Sequence, residues 1–209
     1  ITGGAGHIGR AIGDALAKRG AHIAVLDKNA QAGKQAVADL AKAHGGDHLY
    51  IDADIMESDS FAGVRSTVEK HYGRLDFLVN NAAFYDDAPG WGVAYEKEGY
   101  DAWLKVMRVN LLAPFFLTQA LSPLMQKSKG AAIVNIGSIY GVAAPDHSLY
   151  EGLDMTNPAA YAASKGGLLQ VTKWLSTVLA PAIRVNMVSP GGVERGQDRK
   201  FIERYNQRT

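Results

Sequence analysis

The sequence predicts an α/β fold: a doubly wound parallel sheet with helices on both faces, formed as one domain over residues 1–209. Three observations predict it. Short apolar runs alternate with helical patterns along the chain, joined by short links, as in a parallel sheet covered on both sides. A glycine-rich turn, Thr2-Gly3-Gly4-Ala5-Gly6-His7-Ile8-Gly9, opens the first helical pattern. Polar residues close several of the apolar runs, and such sheets bind ligands beyond the carboxyl ends of their strands.

The elements follow in order. Gly4, Gly6 and Gly9 fit G-x-G-x-x-G. The helical spacing Ile8, Ile12, Leu16 stops near Gly20 and leads into an apolar strand, Ala21–Leu26, with Asp27 at its end. Asp27 lies 18 residues after Gly9. A glycine loop, a helix, a strand and then an acid make the Rossmann-type dinucleotide fingerprint in its expected context. The glycines let backbone N–H groups and a helix N-terminus meet a pyrophosphate. Asp27 can accept hydrogen bonds from both ribose hydroxyls and repels a 2′-phosphate, so NAD is expected over NADP; the neighbouring Lys28 tempers that preference. Only Ile1 and Thr2 precede the fingerprint, although a central strand is expected there. The sequence is therefore expected to lack its first strand.

A helix is predicted from Ala30 to about His44, a strand over His48–Ile51, a helix over Glu57–Tyr72 and a strand over Leu75–Val79. The last strand runs into Asn80-Asn81-Ala82-Ala83. Residues 84–99 form a loop rich in aromatics and acids. A long helix from Tyr100 to about Lys127 carries Asn110 and is expected to bend at Pro114 or Pro123. Ala131–Ile136 reads as a buried strand ending at Ser138. Another helix spans 159–179, and Ile183–Val188 is a further strand leading into Ser189-Pro190-Gly191-Gly192-Val193. The charged stretch 194–209 is expected to be a mobile helical lid, with a final strand lacking after it. Asp27, Asp54, Asn81, Ser138 and Pro190 all fall at strand ends and are predicted to converge on one edge.

Size and charge exclude several alternatives. The chain has 209 residues, enough for a substantial core. Lys and Arg number 22 against 21 Asp and Glu, a net charge of +1, so no strong field draws in nucleic acid or an anionic membrane. There is no cysteine, which removes thiol catalysis, disulfides and thiolate metal sites. No apolar run reaches membrane-spanning length and no signal-like start is visible, so a cytoplasmic location is expected. No His or carboxylate spacing supports a metal site.

The chemistry centres on Ser138 to Lys165. Tyr161 and Lys165 are four residues apart and share one helix face. A free phenol has a pKa of ~10, and a nearby ammonium favours the phenolate. Ser138, at the tip of the preceding strand, could hold a carbonyl oxygen for protonation. Read alone, Ser138 could instead cap a turn, Tyr161 and Lys165 could sit on a solvated helix face, and Asn110 could mark a helix bend.

The ordered set of motifs resembles the short-chain dehydrogenase/reductase family over nearly the whole chain: Thr2–Gly9, Asp27, Asp54-Ile55, Asn80-Asn81-Ala82, Asn110, Ser138, Tyr161-x-x-x-Lys165 and Pro190-Gly191-x-Val193. The resemblance implies an NAD(P)-dependent oxidoreductase interconverting a secondary alcohol and a ketone. It implies Tyr161 as general acid/base, Lys165 lowering the Tyr161 pKa and holding the nicotinamide ribose, and Ser138 binding the reacting oxygen. Asn110 would position a water. It also implies cofactor contacts from Gly3, Gly4, Gly6, His7, Ile8, Gly9, Asp27, Asp54, Ile55, Asn81, Ala82 and Ala83, and from Pro190, Gly191 and Val193. His7 stands where the single-domain branch has its second glycine, Ala83 replaces the usual glycine, and Arg195 stands where a threonine is common.

The interval from Ser138 to Tyr161 is 23 residues, longer than that branch typically has. With Pro158-x-x-Tyr161, it resembles the extended branch, many of whose members act on nucleotide sugars. This suggests that Val142–Asn157 forms a polar wall suited to a sugar or sugar-derived substrate, with Asp146, His147, Tyr150 and Glu151 as contacts. Alternatively it is a surface or subunit-contact loop. A 3-oxoacyl-type reductase and a non-catalytic dinucleotide sensor are the competing functions. The expected partners are a small-molecule substrate and further copies of the chain, as a homodimer or homotetramer built on the two long helices.

Overall fold

A computed structural model describes residues 1–85 and 92–208. Five parallel strands, β1 (Ala24–Asp27), β2 (Leu49–Asp52), β3 (Phe77–Asn80), β4 (Ala132–Ile136) and β5 (Arg184–Val188), alternate with helices. The helices are α1 (His7–Ala17), α2 (Ala30–His44), α3 (Ser60–Tyr72), α4 (Tyr100–Met107), α5 (Ala113–Met125), α6 (Ala159–Val178) and α7 (Arg199–Asn206). Local chemistry sets the ends. Asn29 caps α2 by accepting from the Ala32 N–H at 3.0 Å, and Gly73 closes α3 in the left-handed conformation that glycine adopts without steric cost.

β1 pairs with β2, and β3–β4–β5 form a second ladder in that order. Residues Ile1 and Thr2 lie between the two ladders. The Leu26 N–H donates to the Ile1 carbonyl and the Thr2 N–H to the Val79 carbonyl, both at 3.0 Å. This two-residue seam occupies the place where a central strand was expected. The main core spans both ladders, from Leu26 and Ile51 to Leu117, Leu124, Met125, Ile133 and Ile183, the last five almost fully buried. Among the described residues no helix is long and apolar enough to cross a membrane.

The helix predicted over 100–127 is interrupted. Arg108–Leu112 forms a π-helical turn between α4 and α5. Pro114 follows at the start of α5; its ring would clash with the carbonyl of Asn110 in a regular helix, and the wider turn removes that conflict. Asn110 therefore sits where the helix changes pitch. Pro123, the other expected bend, lies inside α5.

The stretch 142–157 is a short irregular wall with one 3₁₀ turn, His147–Leu149. That turn sends Leu149 and Tyr150 inward, where with Met155 they pack on Phe201 of α7. The helix expected in the charged C-terminal stretch is thus present and docked.

Candidate active site

The strand ends do converge. Asp27, Asp54, Asn81, Ser138 and Pro190 line one cleft of about 480 Å³ at the carboxyl edge of the sheet. The glycine turn forms one side of it through Gly3, Gly6, His7 and Ile8. Gly3 has φ +60°, and a Cβ there would come within 2.9 Å of the Ala82 backbone. Gly9 does not line the cleft; a Cβ on it would lie 2.2 Å from the Gly3 carbonyl, so its role is to let the turn close. Gly4 is likewise set behind the surface, against Ile1 and Val25. The Gly6 side of α1 carries no side-chain cap and no acid in its first turn, which leaves its first N–H groups for an anion.

Thr2 ties this turn to the end of β3. Its hydroxyl accepts from the N–H groups of Asn81 and Ala82, both at 3.0 Å, and the Asn81 amide donates back to the carbonyls of Thr2 and Gly3 at 2.9 and 3.1 Å. Asp27 accepts from the Ala5 N–H at 3.1 Å and from the Asn29 N–H at 3.0 Å, holding its carboxylate beside the turn. Ile55, Ala82, Ala83, Pro190, Gly191 and Val193, also expected to contact the cofactor, line the same cleft. The residues present fit an extended dinucleotide: a glycine-rich turn, an uncapped helix start, then an acid.

At the other end of the cleft, Ser138 accepts from the Tyr140 N–H at 3.2 Å, and its hydroxyl lies near enough to the Tyr161 phenol to favour the phenolate. With its oxygen already accepting, the serine has its own proton to give. Lys165 is 2 % exposed and donates to the Ile136 carbonyl at 2.7 Å. Burial pulls its ammonium down to about 8.

The balance at Tyr161 differs from the expected one. Burial dominates and pushes the phenol above its ordinary value; the downward pulls come from the Ser138 hydroxyl and the Arg195 guanidinium. Lys165 is not among them, although its Nζ is 5.6 Å from the ring centroid.

Asn110 is fully buried behind the cleft. Its Oδ1 accepts from the Phe84 N–H at 2.7 Å, and its Nδ2 donates to the Phe84 carbonyl at 2.8 Å and to Ser164 Oγ at 3.1 Å. Its side chain holds the segment after β3 against α6 rather than reaching into the cleft.

The expected polar wall needs correction. Tyr150 lines the cleft, but Glu151 and His147 do not. Both are exposed. The Glu151 carbonyl accepts from Arg204 at 2.7 Å, and Asp146 is engaged by Ser148 and Arg208. The 3₁₀ turn faces its apolar residues inward, so these polar side chains point away. Beside Tyr150, the cleft is walled by Tyr140, Tyr85 and Asn157, which the sequence did not single out. Tyr140 and Tyr150 share a hydrogen bond of 2.8 Å between their hydroxyls. Tyr85 lies 4.9 Å, ring to ring, from Tyr161. Asn157, one turn before Tyr161 along the chain, completes that side; the four-residue spacing was its only signal. The loop stretch 86–91 lies outside the described residues.

The short chain dehydrogenase family model matches residues 1–205. The chain belongs to this family. It is 32% identical over 206 residues to the Homo sapiens 3-oxoacyl-[acyl-carrier-protein] reductase, covering 98% of this chain and 79% of that one. It is 33% identical over 205 residues to a cyclopentanol dehydrogenase of Comamonas sp., covering 97% and 75%. Among solved structures it resembles an NAD⁺-bound xylitol dehydrogenase with TM-score 0.82 and 31% identity, over 93% of this chain and 70% of that one. It also resembles the Pseudomonas aeruginosa RhlG/NADP active-site complex with TM-score 0.86 and 29% identity, over 99% and 79%. The protein is thus an oxidoreductase of alcohol and ketone groups that uses a nicotinamide dinucleotide.

The buried Lys165 makes stability depend on pH. Below pH 8 folded and unfolded chains both carry its proton, and the full cost of burying the charge is present. Between about 8 and the ordinary 10.5 the unfolded chain binds more protons, so stability rises with pH. The expected gain is about 3 kcal/mol. Urea midpoints should therefore climb from pH 7.5 to 9.5 in the wild type and stay nearly level in Lys165→Met.

Proposed function

We propose that Tyr161 and Ser138 carry the proton chemistry of a dehydrogenase acting on a secondary alcohol of a hydroxylated substrate, with NAD as the preferred cofactor. The observation that supports this most is that Ser138, Tyr161 and Lys165 line the same cleft as the glycine turn and Asp27. When bound, the nicotinamide takes up or supplies the hydride. Tyr161 exchanges a proton with the substrate oxygen. Ser138 donates to that oxygen and stabilises charge developing there. Lys165 keeps donors beyond the one given to Ile136 and would hold the ribose hydroxyls. Asn110 would act as a positioning residue through Phe84 and α6, and the water it would hold must meet its main chain, since its amide is committed.

Asp27 supports the NAD preference: a carboxylate anchored beside the glycine turn repels a 2′-phosphate. Lys28 does not cancel it, because its ammonium lies 3.5 Å from Asp54. The hydroxylated substrate is favoured by the phenol pair of Tyr140 and Tyr150 in the wall and by the likeness to a xylitol dehydrogenase. The 3-oxoacyl reductase relative keeps an acyl substrate as the alternative. Self-association is supported by α5 and α6, where the Phe115 and Trp174 rings lie 6.0 Å apart and Phe116, Trp174 and Val178 are about half exposed.

Tyr161→Phe should lower kcat by roughly a hundredfold to ten-thousandfold while NADH binding, read by fluorescence, is unchanged; undiminished turnover would remove Tyr161 from the chemistry. Asp27→Ala should raise kcat/KM with NADP relative to NAD by about tenfold, and an unaltered ratio would leave the cofactor preference unexplained. Sedimentation should give a dimer or tetramer that Trp174→Glu breaks down; a wild-type monomer at micromolar concentration would end the self-association reading.

A further inference from the structure

The cleft wall beside Tyr161 contains one polar group that the reading above does not use. Asn157 is 4 % exposed and lines the cleft. Its Nδ2 makes a long contact of 3.4 Å with the Pro158 carbonyl, and its Oδ1 has no hydrogen-bond partner. A buried carbonyl oxygen left without a donor is costly. The other buried side-chain oxygen without a partner among the described residues, on Asn80, belongs to an amide chain inside the core with Asn135.

The position of Asn157 is well held. The Thr156 carbonyl before it accepts from the Tyr85 hydroxyl at 2.6 Å. Pro158 after it starts α6 in extended conformation, and Gly92 packs so closely on that proline that a Cβ would approach it to 2.9 Å. Met155, two residues earlier, is anchored in the cluster under the wall. An amide held on both sides, four residues before Tyr161 and in the same cleft wall, with an acceptor oxygen unused, suits a donor from outside the chain.

We propose that Asn157 is a substrate-positioning residue whose Oδ1 accepts a hydrogen bond from a second hydroxyl close to the reacting carbon. The substrate class is then a vicinal diol and its α-hydroxy ketone. This rests on the assignment of the Tyr161 end of the cleft as the substrate site and narrows the hydroxylated class given there. An acyl substrate with an apolar chain at that point would leave the oxygen unsatisfied, and such a site rejects molecules lacking the donor.

The test compares trans-cyclohexane-1,2-diol with cyclohexanol, using the full chain with NAD. The wild type should favour the diol by about tenfold or more in kcat/KM. Asn157→Ala should lose that preference by falling on the diol alone, while Asn157→Asp, which keeps an acceptor, should retain it. Melting temperature gives an independent reading: removing an unpaired buried oxygen should leave the ligand-free Asn157→Ala protein at or above the wild type. Equal losses on both alcohols, or a diol preference untouched by alanine, would overturn the proposal. If the wild type oxidises neither alcohol, the hydroxylated-substrate reading fails, and calorimetry with the NADH-loaded protein still decides the role of Asn157. Diol binding weakened about tenfold by alanine supports it, and unchanged or absent binding refutes it.

Discussion

The hydrogen bond from the Lys165 ammonium to the Ile136 carbonyl is the interaction on which the site depends. It joins helix α6 to the last residue of strand β4 across a buried interface. Burying an ammonium is unfavourable, and here one strong hydrogen bond to a main-chain carbonyl offsets part of that cost. The helix is seated further by Gly141, where any Cβ would stand 2.6 Å from the Lys165 backbone. With α6 pressed on the turn after β4, Tyr161 and Ser138 face the same cleft.

A second set of polar contacts holds the cofactor half to the catalytic half. Thr2 and Asn81 bind the glycine turn to β3, and Asn110 binds the segment after β3 to α6 through Phe84 and Ser164. Each amide satisfies backbone groups that a loop would otherwise expose or strand. The π-helical turn at Arg108–Leu112 is what lets Asn110 face that segment while Pro114 continues into α5.

The strands and helices were legible because their apolar spacing and their flanking glycines and polar caps agree with one another. The convergence of Asp27, Asn81, Ser138 and Pro190 was legible for a similar reason: a parallel sheet puts every strand's carboxyl end on one edge. What escaped the sequence was the direction in which an irregular segment faces its side chains. Asp146, His147 and Glu151 looked like ligand contacts by composition, yet a single 3₁₀ turn rotates them to solvent and turns Leu149 and Tyr150 inward. No periodicity encodes that rotation. Asn157 was missed because an asparagine before a proline reads as turn chemistry, and only the coordinates reveal an oxygen left without a donor. The interruption at Arg108–Leu112 was half visible: the proline announced a break, but its centre at Asn110, four residues upstream of Pro114, follows from the steric conflict at the Asn110 carbonyl.

The small cluster of Leu149, Tyr150, Met155 and Phe201 is separate from the main core. Its members come from two distant stretches, and neither stretch covers its apolar side without the other. Divergence in what the enzyme accepts is therefore bound to paired change: a new wall over the reacting end needs a matching C-terminal helix, while the nucleotide half can stay as it is. Transplanting 142–157 and 199–206 together from a relative should carry selectivity across, whereas moving either alone would leave an uncovered aromatic.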